Sequence, residues 1–192
     1  MYKIVTTPNK ILLEKSEEVK SFDKKLSDIL KGMEETLVAT VDPIGVGLAA
    51  PQVGLPLRIF QMKPTAKSKV TTYINPVIEK VSEEEEIPHI EGRNEKNNKP
   101  ESSKNKLLEG CLSIPDIWGN VTRKRTVLLR WQDETGNSYM KEFSGFPAII
   151  IQHEMDHLNG FLFTKRVVEQ NEKLFKSHKN SEGEDEFEEI KI

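Results

Sequence analysis

Cys111 is the only cysteine in 192 residues, so no internal disulfide is possible and nothing points to an oxidising compartment. Long apolar runs are missing as well: a stretch such as 148–151 is far too short to span a bilayer. The opening residues, Met1-Tyr2-Lys3-Ile4-Val5-Thr6-Thr7-Pro8, lack the apolar stretch of a signal peptide. There is no large excess of charge of either sign. A net charge of -3 gives no general attraction to nucleic acid or to an anionic membrane, and no direct nucleic-acid motif stands in the chain. These absences lead to the expectation of a cytoplasmic enzyme with no membrane attachment. The length most simply suits one domain with a substantial core.

What is present begins with a helical stripe. Leu26, Ile29, Leu30, Met33 and Leu37 fall at the spacing of one buried helical face, with Asp23 placed to cap the helix and Asp42-Pro43 to end it near Thr40. The glycine-rich 45–52 follows as a loop or irregular strand. Residues 57–62 and 70–74 read as strands, the second stopped by Asn75-Pro76. Residues 125–131 and 138–143 alternate across Asp133-Glu134-Thr135-Gly136-Asn137 and read as a hairpin. A last helix starts near Pro147 and ends at Gly160. Strands in the middle with helices at either end predict an α+β fold, with antiparallel sheets packed around the C-terminal helix and a further helix near the N-terminus.

Two segments are too polar to offset the entropy of ordering them. Residues 82–106 read as a mobile loop inserted between strands. The acidic 169–192, densest in charge at 182–189, reads as a partly disordered tail outside a catalytic unit of 1–168. Solvated chain is the simpler reading of both; docking on ribosomal protein or RNA is the alternative.

Gln152-His153-Glu154-Met155-Asp156-His157 contains an HExxH string. On a helix, His153 and His157 lie one turn apart on the same face and can bind one metal ion. Glu154 stands on the flank, placed to handle a proton of water and poorly placed to be a ligand. Ile151, Met155 and Leu158 fall on the core side, and Asp156 is within reach of His153 as the partner that orients its ring. Two histidines leave the third ligand open. Some zinc peptidases place a histidine where this chain has Phe163, and others use a later glutamate, for which Glu169 and Glu172 are candidates. Cys111 is chemically the better choice. Its thiolate binds a divalent ion strongly, and Glu109-Gly110-Cys111-Leu112-Ser113 followed by Pro115 suits a loop that presents a group. The competing reading of Cys111 is a small buried hydrophobe.

With Gly45-Val46-Gly47-Leu48-Ala49-Ala50-Pro51-Gln52 added, the chain resembles the bacterial-type peptide deformylases, whose signatures GxGLAAxQ, EGCLS and HExDH occur here in that order. The resemblance runs from about Val5 to Val168, the 82–106 segment excepted. It implies a metal-dependent hydrolase that removes the formyl group from the N-terminal methionine of new proteins and releases formate. It also implies one divalent ion held by Cys111, His153 and His157, with ferrous iron as the native ion and zinc or nickel able to replace it. Glu154 is then the general base and acid, and the oxyanion donors are the Gln52 side chain and the Leu112 backbone N–H. The N-formylmethionyl nascent peptide is expected to pair with the chain around Val46, Gly47 and Glu109. Its methionine is expected to rest against Ile149, Ile150 and Val46. A monomer that touches the ribosome only transiently fits this role.

Two features depart from the family's pattern. Trp118 stands seven residues after the cysteine, where many members have arginine, and the 82–106 segment exceeds the usual connection. Arg123, at a position where arginine is common in the family, is expected to be structural. Two rivals remain at this level. One is a zinc endopeptidase with a carboxylate or histidine as third ligand, and the other is a silent binding protein that keeps the fold.

Overall fold

The computed structural model describes residues 1–41, 43–86, 107–181, 183 and 185–191. Helix α1, Lys24–Ala39, begins where the sequence predicts. The Asp23 carboxylate accepts the Leu26 N–H at 3.0 Å and satisfies a donor the first turn leaves unpaired. Leu26, Leu30, Met33 and Leu37 are buried against Leu48, Ile59 and Ile74, and Ile29 packs at the edge of that cluster.

The glycine-rich string forms a short strand, β1 (Gly47–Ala49), and then a single 3-10 turn over Ala50–Val53. Strand β1 pairs antiparallel with β2 (Ile59–Met62), which pairs with β3 (Thr71–Val81). The stop expected at Asn75-Pro76 does not occur, because β3 continues through it. The ladder to the next strand slips in register between Ile74 and Val77, and Asn75 takes a left-handed φ of 49°. Its side chain bonds both the N–H and the carbonyl of Val19, at 2.8 and 2.9 Å. A proline cannot donate to a ladder, and here it sits at the irregularity where no donor is required.

Beyond β4 (Glu85–Glu86), which lies within the expected loop, residues 87–106 fall outside the described residues. The chain resumes with β5 (Glu109–Cys111), β6 (Ile114–Gly119) and β7 (Arg123–Lys124), the last paired with β4. The predicted hairpin is β8 (Thr126–Gln132) and β9 (Ser138–Ser144), in register from Thr126↔Ser144 to Gln132↔Ser138. It completes a five-stranded sheet of order β1-β2-β3-β8-β9.

Helix α2, Phe146–Leu158, carries the HExxH string. Ala148, Ile151, Met155 and Leu158 pack on Phe60, Tyr73, Val127 and Leu129 of the sheet, so that face is core as predicted. The opposite face turns toward a second sheet of order β11-β10-β6-β5, against which a short α3 (Phe163–Glu169) packs Phe163 and Val167. Helix α3 crosses the boundary expected at 168.

The tail expected to be disordered is corrected by the structure. β10 (Leu174–Lys179) and β11 (Asp185–Ile190) form an antiparallel hairpin whose first strand pairs with β6. Composition alone missed it because its support is external. Leu174 packs on the Phe163–Val167 cluster, and the edge of β6 supplies backbone partners. The architecture is the α+β arrangement expected, with antiparallel sheets on both sides of α2. Among the described residues, no helix is long and apolar enough to cross a membrane.

Gly160 ends α2 with φ of 75°, and a Cβ at that position would stand 2.5 Å from the Leu13 carbonyl oxygen. Gly160→Ala is therefore expected to destabilise the fold by more than about 1 kcal/mol, read as a lower urea midpoint with unchanged slope.

Candidate active site

His153 and His157 face away from the five-stranded sheet, their ring centres 5.0 Å apart. Cys111, at the end of β5, brings its sulfur to 3.2 Å from His157 Nε2. The ligand atoms of Cys111, His153 and His157 all lie within 4.8 Å of one another. Neither glutamate considered as third ligand belongs to this group: Glu169 pairs with Lys165 and Arg166 on α3. Phe163, standing where a third histidine would occur in other metallopeptidases, lies along the His153 ring with centres 6.1 Å apart.

The donor set suits a divalent cation. Burial alone would push the Cys111 thiol up, but His157 and His153 outweigh it and bring it down to about 5. His153 moves the other way: burial disfavours its charge, yet Cys111 and Glu109 hold its pKa well above the ordinary value. One thiolate and two neutral imidazoles match a divalent ion in charge and softness.

A buried chain of charges holds the histidine. Glu109 Oε2 accepts from His153 Nδ1 at 3.0 Å, and because an ionised carboxylate only accepts, this fixes the tautomer that turns Nε2 toward Cys111. Arg123 grips Glu109 with two bonds of 2.8 Å and reaches Asp156 at 2.7 Å. Asp156 is in turn held by Arg166 at 2.7 Å. The expected Asp156–His153 pairing is thus corrected: two guanidinium groups claim Asp156, and Glu109 orients the ring. A signal existed, since alternation along a strand puts Glu109 and Cys111 on the same face. Arg123, as expected, has a structural place, buried between two carboxylates that raise its pKa although burial would lower it.

Glu154 is buried, and its Oε2 has no hydrogen-bond partner. Burial raises its pKa to about 7 despite the opposing pull of His153 and His157. The backbone of Gly47 passes so close that a Cβ there would collide with the Glu154 carboxyl group. Gln52 is also buried. Its Oε1 accepts the Ala49 N–H at 2.8 Å, which leaves Nε2 pointing at Cys111 Sγ (3.5 Å) and Ser113 Oγ (3.3 Å). Ser113, which sequence reasoning passed over, is fully buried and helps set that amide. Its only sequence signal is its place two residues after Cys111.

Gln52, Glu109, Cys111, His153 and Glu154 line one cleft of about 220 Å³. The expected substrate positions Val46, Gly47, Glu109, Ile149 and Ile150 all border it, as does Leu112. The Glu109 side chain, however, is engaged with Arg123 and His153, leaving its backbone for any peptide. Strands β1 and β5, which flank the cleft, are each the terminal strand of their sheet.

Residues 1–173 match the model of the family described as Polypeptide deformylase. The chain is 36% identical to the peptide deformylase of Borreliella burgdorferi, over 94% of this chain and 96% of that protein. It is 38% identical to peptide deformylase 1 of Bacillus cereus, over 88% and 96% respectively. Among solved structures it is similar to the peptide deformylase of Thermotoga maritima, with a TM-score of 0.72 and 32% identity, covering 86% of this chain and 97% of that one. It also resembles a peptide deformylase from Legionella pneumophila, with a TM-score of 0.70 and 30% identity, covering 86% and 85%.

Two outcomes follow from the charge chain. Glu109 is held at about 2 against its usual 4.5, because Arg123 and His153 together outweigh burial. Its pairing therefore stabilises the fold fully above about pH 4.5, and that contribution is lost as pH falls toward 2. In urea unfolding of the metal-free protein, Glu109→Gln should be less stable at pH 7 by on the order of 3 kcal/mol. The gap should close as acid protonates the wild-type carboxylate. The same substitution should weaken zinc retention about 10–100-fold in competition with a chelator, because His153 loses its orienting partner.

Proposed function

This chain belongs to the polypeptide deformylase family, and on that premise we propose how its own residues carry the reaction. The reaction is hydrolysis of the amide between a formyl group and the N-terminal methionine of a newly made protein, with release of formate. The observation that carries the assignment of roles is the grouping of Cys111 with His153 and His157, at the wall of a cleft that Cys111 and His153 share with Gln52 and Glu154.

Cys111, His153 and His157 would hold one divalent ion, which would supply Lewis acidity for activating water and polarising the formyl carbonyl. Glu154 accepts the proton of the attacking water at its buried carboxylate and delivers it to the leaving amine nitrogen. A carboxyl group whose pKa is raised toward 7 by burial is suited to both halves of that task. As the carbonyl becomes tetrahedral, Gln52 Nε2 and the Leu112 backbone N–H donate to the oxyanion; each such donor contributes about 3–4 kcal/mol in comparable sites. The Ala49 N–H holds the Gln52 amide in the required sense before substrate arrives.

The peptide lies between the free edges of β1 and β5 and adds a strand there. Gly47 serves two ends, leaving room both for substrate backbone and for Glu154. The methionine side chain rests against Val46, Ile149 and Ile150, apolar neighbours that give it a moderately hydrophobic pocket. From the resemblance to the family we take ferrous iron as the native ion, the thiolate and imidazole donors being equally able to accept zinc or nickel. A nascent N-formylmethionyl chain as substrate suits a cytoplasmic enzyme that contacts the ribosome transiently. The zinc-endopeptidase alternative is disfavoured because Glu169 and Glu172 stand apart from the ligand group.

The direct test is formate release from formyl-Met-Ala-Ser by protein loaded anaerobically with ferrous iron. No formate at full metal occupancy would leave the silent binding protein as the better reading. Glu154→Gln should keep the metal and lower kcat by about 10²–10⁴-fold, and Gln52→Ala should lower kcat by about 10²–10³-fold. Because Glu154 must lose a proton to act as base, kcat/KM should rise with pH. The midpoint of that limb should lie at or below about 7, since the cation adds positive charge that favours the carboxylate. Activity that survives prolonged aeration would argue for zinc or nickel over iron.

A further inference from the structure

Trp118 lines the cleft and is also the point where the C-terminal hairpin touches it. The residues matching the family model end at 173, and the hairpin begins at Leu174. Its first strand sends the Ser177 hydroxyl to accept the Trp118 Nε1–H at 3.0 Å. Its second strand stands Phe187 edge-on to the indole, with ring centres 5.8 Å apart at 87°. Strand register accounts for both contacts. Phe175 pairs with Trp118 and Ser177 with Phe187, so all four side chains share one face of the sheet.

From the other side the indole lies on the backbone of Gly110, where a Cβ would come within 2.7 Å of the ring. The ring is thereby fixed from three directions: by a glycine that leaves it room, by a hydroxyl that satisfies its one donor, and by a second aromatic ring. Such fixing is more than filling a gap in a sheet requires. Opposite it, Ile44 and Phe146 border the same cleft with 55% and 39% of their surface exposed. Among the described residues, no lysine or arginine lines this cleft.

Building on the deformylase reading, we propose that the C-terminal hairpin is part of the substrate site. It holds Trp118 as an apolar wall for the side chain that follows formyl-methionine, so the enzyme selects apolar residues there and discriminates against acidic ones. Trp118 is the specificity-determining residue, and Ser177 and Phe187 are positioning residues that act through it. An apolar side chain gains contact with the indole, whereas a carboxylate would be desolvated beside it with no lysine or arginine among the described cleft residues to receive it.

The test compares kcat and KM for formyl-Met-Leu-Ser, formyl-Met-Ala-Ser and formyl-Met-Asp-Ser with the metal-loaded full-length protein. Wild type should prefer the leucyl over the aspartyl peptide by about 10-fold in kcat/KM, most of it in KM. Trp118→Ala should bring the three peptides within about 2-fold of one another, Trp118→Phe should keep most of the preference, and Trp118→Arg should reverse it in favour of the aspartyl peptide. Ser177→Ala and Phe187→Ala should each lower the preference about 3-fold through KM, with Ser177→Thr and Phe187→Tyr restoring it. A wild-type enzyme indifferent to the three peptides, or a preference unchanged in Trp118→Ala and Trp118→Arg, would overturn the proposal. Hairpin variants that slow all three peptides equally would show the hairpin to be structural only and would also overturn it. If no peptide is turned over by wild type at full metal occupancy, the functional reading itself falls, and this inference with it.

Discussion

Glu109 is a carboxylate buried between a guanidinium and an imidazole, and the geometry of the site depends on it. An ionised carboxylate in that position is tolerable only with its charge matched and its oxygens occupied. Arg123 provides both by a two-pronged contact, and His153 takes the remaining direction. Since Arg123 also holds Asp156, and Asp156 holds Arg166, one line of alternating charges ties β5, β7, α2 and α3 together. The ring of His153 is therefore fixed by elements from three parts of the chain.

The surrounding fold places reactive groups at a seam. Helix α2 offers one face to the five-stranded sheet, where packing of Ile151, Met155 and Leu158 sets its position, and the other to β5 of the second sheet. Cys111 and the two histidines meet across that seam. The seam is also where both sheets end among the described residues, at β1 and β5, so Cys111, His153 and His157 meet beside the terminal strands. Chemistry and peptide recognition thus share one constraint, the rigid spacing of two sheets by a helix. Gly47 shows how tight that spacing is, because the glycine leaves room for the Glu154 carboxyl group.

Local patterns carried much of this in the sequence. The stripe from Leu26 to Leu37 with Asp23 before it gave α1 and its cap, since both depend on near neighbours. Four-residue spacing put His153 and His157 on one face, thiolate chemistry made Cys111 the preferred candidate for a third ligand, and the structure brings the three side chains together. What stayed hidden depends on partners distant in sequence. Asn75-Pro76 reads as a strand stop, but side-chain bonds to Val19 and a bulge against β8 carry the strand onward. Asp156 is near His153 along the helix, yet Arg123 and Arg166 decide where it turns. The acidic tail looks unable to order itself, and alone it has little to bury. It is ordered by the edge of β6 and by Trp118, neither of which its own composition reveals.

The central claim is that one thiolate and two imidazoles hold a single divalent ion at the seam between the sheets. X-ray absorption at the metal edge of the zinc-loaded protein addresses it without reference to activity. The account predicts one sulfur at about 2.3 Å and two imidazole nitrogens at about 2.0–2.1 Å, with the remaining position filled by a light atom. A shell of nitrogen and oxygen alone, with no sulfur, would contradict it.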